Sequence, residues 1–488
     1  MASEDVGKIY GDVGVGQFKV ALTIPVERGE YLAVDDDGRH RVLCQLSQLE
    51  RKSDASAEKT LEHLSPGTAV TLADALFGKA NVVGFRENGI VAVPQLPFKP
   101  GTSVLRAEEN LIADVMGLRE NGKTGAYVGL LRGHSLRVEL DINQLVQRHL
   151  SVLAKTGGGK SYLVGVLLEE FMKHDVTCII IDPHGEYGSL RFKSDHMRNA
   201  ERFGVEARGF RDKILEFSPD TTLNRDAKPL TFSLRNLDAR ELLTFMGSTN
   251  VRGYVAPLKG IIEAASQANP EYALKDLIRI AHARAAEEGN PTFESLAEKL
   301  DYLEETKLLA PVGTSLHELV VPGKMTIVNL RGVAPDVQEL VVTRMLSTFF
   351  EQRKRGKIPP LFLVIEEAHN FCPQQGQAMS SRILKTVASE GRKFGLGLCI
   401  VSQRPARVDK NVLSQCATQL ILQVTNPLDV RAISQSIEGL TEGMTEIIQA
   451  LPVGTCLVSG AGFHTPLFCD VRTRSSRHGG ESVNVIPT

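Results

Sequence analysis

Residues 149–172, His-Leu-Ser-Val-Leu-Ala-Lys-Thr-Gly-Gly-Gly-Lys-Ser-Tyr-Leu-Val-Gly-Val-Leu-Leu-Glu-Glu-Phe-Met, restrict the fold more than any other stretch of the chain. An apolar run from Leu150 to Ala154 reads as a buried strand, three glycines break it, and Lys160-Ser161 opens an amphipathic helix. Strand, glycine turn and helix in that order make a cradle for a polyphosphate. Gly157, Gly158 and Gly159 let the backbone turn tightly and aim amide N–H groups inward, and the helix N-terminus adds the positive end of its dipole. In this pattern Lys160 reaches the β- and γ-phosphates and the Ser161 hydroxyl holds Mg²⁺. Lys155, Thr156 and Tyr162 flank them and complete the expected nucleotide-binding set. Only the first glycine of G-x-x-x-x-G-K-[ST] is missing; Ala154 stands there, small enough for the bend. The pattern implies ATP and Mg²⁺ as cofactors.

A chain of 488 residues exceeds one compact core, so two to four domains are expected. No apolar run approaches the roughly 20 residues of a membrane span, and the start of the chain lacks a secretory-signal profile. Seven cysteines are scattered without a C-x-x-C pair, which argues against a disulfide framework or a zinc site and fits a reducing, cytoplasmic setting. The net charge of −2 means that any contact with nucleic acid must come from a local basic surface.

The rhythm of the chain changes near residue 149. Before about 115, short alternating runs (Gly16–Leu22, Glu30–Val34, Val42–Leu46, Val70–Leu72, Val82–Phe85, Ile90–Val93) lie between glycine and acidic turns, the pattern of a small β-barrel. Residues 116–148 read as a connecting segment. Strands at 150–154, 176–181, 325–330, 361–365, 397–402 and 418–424 alternate with helices and imply an α/β, mainly parallel sheet spread over 149–235 and 321–472. Between these halves, residues 236–320 carry helical stripes such as Leu258, Ile261, Ile262 and Leu296, Leu300, Leu303, the mark of an inserted helical bundle. Residues 473–488 are polar and are expected to be a tail without a core.

Leu361-Phe-Leu-Val-Ile-Glu-Glu-Ala-His supplies the acids that a phosphate loop needs. A buried strand delivers two carboxylates at its C-terminal end, where ligands bind in open α/β sheets. Glu366 is expected to anchor the Mg²⁺ shell through water, and Glu367 to orient and deprotonate the attacking water. Gln403, at the tip of Leu398-Cys-Ile-Val-Ser-Gln, is placed to sense the γ-phosphate. Asp182-Pro-His-Gly-Glu-Tyr187 ends another strand on the same edge; Asp182 and Glu186 either position water, metal or nucleotide or form a solvated turn. His184 is expected to be a structural hydrogen-bonder. Arg392 is either a surface arginine or one aimed at a neighbouring subunit's loop.

Taken together, Gly129-Leu-Leu-Arg-Gly-His, Leu153-Ala-Lys-Thr-Gly-Gly-Gly-Lys-Ser, Asp182-Pro-His-Gly-Glu-Tyr, Ile365-Glu-Glu-Ala-His, Ser389-Glu-Gly-Arg-Lys-Phe-Gly, Ser402-Gln-Arg-Pro-Ala-Arg-Val and Asn411-Val-Leu-Ser-Gln resemble the HerA family of DNA-translocating ATPases, within the HerA–FtsK group. The resemblance covers most of the chain. It implies a RecA-like P-loop ATPase core, an N-terminal barrel of the HAS type, and a homohexameric ring that threads double-stranded DNA. It also implies a NurA-type nuclease partner in processing double-strand break ends, and no membrane. On the family pattern Arg392 is a finger acting in trans, Arg148 approaches a nucleotide at the subunit interface, and the tail braces a neighbour. Arg404, Arg407 and Lys410, with Lys393 behind them, are the candidate DNA contacts. Two alternatives stay open: a conjugation- or secretion-type motor, and an ATP-dependent ring scaffold for an effector protein.

Overall fold

The computed structural model describes residues 4–53, 74–246, 252–437, 440, 442–460 and 462–480; the strand expected at Val70–Leu72 and residues 481–488 lie outside them. Alternating residues near the start build β1 (Asp5–Tyr10), β2 (Gln17–Leu22), β3 (Tyr31–Asp36), β4 (His40–Ser53), β5 (Asp74–Glu87), β6 (Ile90–Ala92) and β7 (Ser103–Arg106). They pair antiparallel in the order β2-β1-β7-β3-β4-β5, and β2 pairs with β5 to close the barrel; β6 adds to β5. Val6, Phe18, Val20, Leu32, Val42 and Cys44 fill its interior. Closure removes the open edges that would otherwise invite pairing with other chains.

A second sheet takes β8 (Gly125–Leu131), β9 (Arg137–Asp141), β10 (Leu150–Leu153), β11 (Cys178–Asp182), β12 (Ile214–Ser218) and β13 (Lys228–Pro229). After a short separate pair, β14 (Phe232–Ser233) with β15 (Leu309–Ala310), it adds β16 (Met325–Asn329), β17 (Leu361–Ile365), β18 (Leu396–Ser402), β19 (Thr418–Ile421), β20 (Thr455–Ser459) and β21 (Leu467–Val471). The order is β13-β12-β16-β11-β17-β18-β10-β19-β20-β21-β8-β9. Strands from β13 to β19 are parallel, and the rest continue antiparallel. Every residue of β11 and β17 is buried, as expected of strands covered on both faces. The helices used below are α1 (Ile142–Arg148), α2 (Lys160–Lys173), α3 (Arg252–Ala268), α4 (Leu274–Glu288), α5 (Pro291–Glu305), α6 (Pro335–Lys354), α7 (Ala368–Phe371) and α8 (Ser381–Glu390).

Three regions add to the sequence expectation. Residues 116–148 are more than a connection, because β8 and β9 form the antiparallel margin of the main sheet. Gly129 permits that pairing: a Cβ there would stand 2.0 Å from the Asp470 carbonyl oxygen. The helices of 236–320 share one continuous apolar core with the sheet, in which Leu258, Leu277 and Leu300 join Phe217, Val328 and Phe349. Helices α3, α4 and α5 pack chiefly against one another, α4 on α5 above all, and the interior of this bundle runs on into the core of the sheet.

The tail differs most. Arg472, Thr473, Arg474, Ser475 and Ser476 are buried in their own subunit. The enclosed Arg472 guanidinium donates to Glu169 Oε2 at 2.9 Å, Glu170 Oε1 at 2.7 Å and the Tyr127 carbonyl at 2.8 Å. Glu169 also accepts from the Ser475 and Ser476 amides at 3.0 and 2.8 Å. A trace of this was in the sequence. Helix α2 is buried from Leu163 to Met172, so Glu169 and Glu170 needed partners inside the protein. Residues 472–476 are thus committed to their own α2, not to a neighbour.

Candidate active site

Helix α2 begins where β10 ends, at the C-terminal edge of the parallel strands. Gly157 and Gly159 hold φ of +72° and +91°, and a Cβ on Gly158 would meet the Lys155 carbonyl oxygen at 3.0 Å. Ala154 is fully buried; its amide and that of Lys155 donate to Ser402 O and Gln423 O, which ties the loop to the ends of β18 and β19. No side chain caps α2, so its first amides remain for an anion.

Lys160 Nζ lies 2.5 Å from Glu366 Oε2 and 3.2 Å from Glu367 Oε1. Burial works to lower the lysine pKa, but the two carboxylates outweigh it and hold the ammonium charged, above the usual lysine range. Glu367 sits in the left-handed region at φ 49°, ψ 44°, just past the end of β17. Its Oε2 is buried and has no hydrogen-bond partner, so a base oxygen is left over for a water. The second oxygen of Glu366 accepts the buried Tyr187 hydroxyl. Gln403 Oε1 accepts from Thr156 Oγ1 at 2.5 Å, so the strand-end glutamine touches the phosphate loop. His369 Nδ1 stands 3.3 Å from Glu367 Oε2 and 3.2 Å from Ser402 Oγ.

Two residues expected to contact nucleotide have partners within the chain. Asp182 is buried, and its oxygens accept the Gly185 and Tyr187 amides at 2.8 and 3.0 Å. Burial dominates and pushes its pKa up to about 6. Asp182 shapes the turn that carries Tyr187 to Glu366, and so acts on the site at one remove. Tyr162 accepts the Arg474 amide at 2.8 Å and packs edge-on against His478. It lines a cavity of about 540 Å³ with Leu422, Thr455, Arg202 and Thr473, on the β19–β20 side of the loop.

The donor set fits Mg²⁺ held mostly by phosphates and water, which is how this ion is usually bound. Ser161 lies in the first turn of α2, and Glu366, both of whose oxygens are engaged by Lys160 and Tyr187, suits contact through water. Among the described residues no cluster of three or more His, Cys, Asp or Glu could hold a metal by itself.

Arg148 and Arg392 lie at the opposite end of the strands. They precede β10 and β18 respectively, and both are exposed. Four residues of β10, about 13 Å, separate Arg148 from its own phosphate loop. His149 follows Arg148 with its ring buried: Nδ1 accepts the Leu398 amide and Nε2 donates to the Ala388 carbonyl, both at 3.0 Å. Burial above all, with Arg392 adding to it, holds its pKa down to about 4. Arg404, Arg407 and Lys410 are exposed on the loop after β18. Lys393 precedes β18, so the whole strand separates it from them and the four do not form one patch. Sequence reasoning gave no role to His149, His369 or the Tyr187 hydroxyl, although all three lie in or beside the motifs.

Comparison with known proteins places these features. Residues 126–349 match the family model described as helicase HerA, central domain. The chain is 26% identical over 464 residues to the DNA double-strand break repair helicase HerA of Pyrococcus furiosus, covering 83% of this chain and 80% of that protein. It is 29% identical over 389 residues to HerA of Saccharolobus solfataricus (76% and 73% covered), and 28% identical over 433 residues to the probable helicase MJ1565 of Methanocaldococcus jannaschii (84% and 79%). Among solved structures, VirB4 of Thermoanaerobacter pseudethanolicus superposes with TM-score 0.50 at 16% identity, covering 72% of this chain and 97% of that one. The plasmid coupling protein TrwB bound to a GTP analogue gives 0.50 at 15% (75% and 93%). The shared architecture is a RecA-like P-loop ATPase core, here preceded by a β-barrel.

Proposed function

We propose that this ATP-hydrolysing enzyme, similar to helicase HerA over residues 126–349 and to HerA proteins over most of its length, is a motor that translocates along or unwinds double-stranded DNA. It works as a homohexameric ring in the cytoplasm, with a NurA-type nuclease, in resecting double-strand break ends. One observation carries the reading. Lys160, Glu366, Glu367 and Gln403 meet at one end of the strands, while Arg148 and Arg392 stand exposed at the other. A single chain holds two complementary half-sites that cannot close on each other, and ring assembly would join them.

Within a joined site the nucleoside occupies the cavity beside Tyr162 and the γ-phosphate faces the two acids. Lys160 exchanges a carboxylate for phosphate oxygens. Glu367 Oε2 takes the proton of the attacking water, Gln403 reports on the γ-phosphate, and the neighbour's arginine meets the charge that develops on the transferred group. Ser161, with Glu366 through water, would hold Mg²⁺, which would supply positive charge at the phosphates.

The test is ATP hydrolysis by purified rings with and without linear duplex. Stimulation by duplex that weakens with salt, loss of turnover in Glu367→Gln with rings retained, and partial rescue when Arg392→Ala and Lys160→Ala subunits are mixed are expected. Rings that hydrolyse ATP at the same rate whether or not duplex is present would sink the DNA-motor reading. Mixed rings without rescue would sink the shared site.

A further inference from the structure

Three consecutive residues at the end of β18 each face a different component. Gln403 is bonded to Thr156 of the phosphate loop. Ser402 Oγ accepts the Arg404 amide at 3.0 Å and lies 3.2 Å from His369 Nδ1. Arg404 is exposed, beside the equally exposed Arg407. His369 Nδ1 is in turn 3.3 Å from Glu367 Oε2, the buried oxygen without a hydrogen-bond partner. The basic loop is also tied to the segment that continues α7. The Gln374 amide donates to Arg407 O at 2.7 Å, the Asp409 amide to Cys372 O at 2.9 Å, and the Lys410 amide to Gln374 Oε1 at 2.8 Å. These bonds hold residues 407–410 of the basic loop against the segment that continues α7, and Ser402 to Arg404 lie outside them.

We propose that His369 is a positioning residue that passes engagement of the Arg404–Lys410 loop by a phosphodiester backbone to the Glu367 carboxylate. This rests on the reading of the chain as a DNA-stimulated ATPase. The chemistry is a choice between two acceptors for one hydrogen. An unprotonated Nδ1 facing a carboxylate oxygen would oppose two lone pairs, so Nδ1 carries the hydrogen. It is shared with Ser402 Oγ here, with Glu367 Oε2 close by at 3.3 Å but not hydrogen-bonded. A shift of Ser402, dragged by Arg404 when that residue meets a phosphate, turns the N–H from the hydroxyl to the carboxylate and fixes the base in its working orientation. Gln403 moves in the same step, so loop and base are set together.

The experiment uses full-length rings, ATP and linear duplex, and reads the ratio of stimulated to basal kcat, the KM for ATP and duplex affinity at fixed salt. His369→Ala is expected to lower the ratio about 5-fold or more, the size of a modest coupling between sites, with KM and duplex affinity held. His369→Asn, whose amide N–H falls where Nδ1–H was, restores most of it; His369→Gln, whose amide falls at Nε2, does not. Ser402→Ala lowers the ratio as well. An unchanged ratio in His369→Ala, basal and stimulated kcat falling by the same factor, or equal rescue by Gln and Asn would each overturn the relay while leaving the motor intact. Wild-type rings indifferent to duplex would overturn both.

Discussion

At the C-terminal end of β10, Lys160, Glu366, Glu367, Asp182 and Tyr187 crowd together, buried and bonded to one another; at its N-terminal end, Arg148 and Arg392 stand in solvent around one neutral buried histidine. The first end is short of positive charge, since one ammonium already balances two carboxylates. A triphosphate brought there needs cations that this chain does not supply locally. The second end has two arginines with no phosphate within reach. The contrast teaches that the crowded end is organised for proton transfer and the sparse end for charge donation; on the function proposed above, each would be completed by another copy.

The comparison can be broken at several points. The largest effect is expected from Arg392→Ala, which should lower kcat about 10³-fold or more if the sparse end supplies a finger in trans; steady-state hydrolysis in the presence of duplex measures it, and a loss under tenfold would refute the assignment. Next, Arg472→Ala should cost roughly 3–5 kcal/mol of stability in urea unfolding, because it leaves Glu169 and Glu170 buried without their partner. Arg392→Ala should leave that midpoint where it was.

The two ends should also titrate in opposite senses. The native His149 imidazole stays neutral down to about pH 4, whereas the unfolded one protonates below its ordinary 6.5, so its share of stability is lost as pH falls through that window. The native Asp182 carboxyl keeps its proton up to about 6, whereas the unfolded one ionises above 3.8, so its share is lost as pH rises. Between pH 4 and 6 the two oppose each other, each by up to about 1.4 kcal/mol per pH unit. His149→Gln should therefore make stability fall with rising pH in that range, and Asp182→Asn should make it rise. Urea midpoints at pH 4.5 and 5.5 decide; slopes of the same sign in both variants would refute it. The smallest change is expected from Gly165→Ala. Its Cβ would stand 2.6 Å from the Arg474 guanidinium, so roughly 1–3 kcal/mol of overpacking should appear as a lower midpoint.

Which features could be read in the sequence follows from how far apart their partners lie. The phosphate loop, the acidic strand end and the parallel strands are local patterns, and the structure brings Lys160, Glu366, Glu367 and Gln403 to one edge because each sits at a strand terminus. Tyr187 and Glu366 are 179 residues apart, and Arg472 and Glu169 are 303 apart. No periodicity announces such pairs. The place of β8 and β9 at the sheet margin was hidden for the same reason, since β21, which joins β8 to the rest of the sheet, lies far along the chain. Lys393 stands apart from Arg404, Arg407 and Lys410 because the seven residues of β18 lie between them.

The long reach of Arg472 has a consequence for synthesis. A product that stops short of it has already made α2 but leaves Glu169 and Glu170 of that helix without the Arg472 guanidinium, and lacks the amides of 475 and 476 that bond Glu169. Such fragments are expected to be much less stable around their nucleotide loop than the full chain.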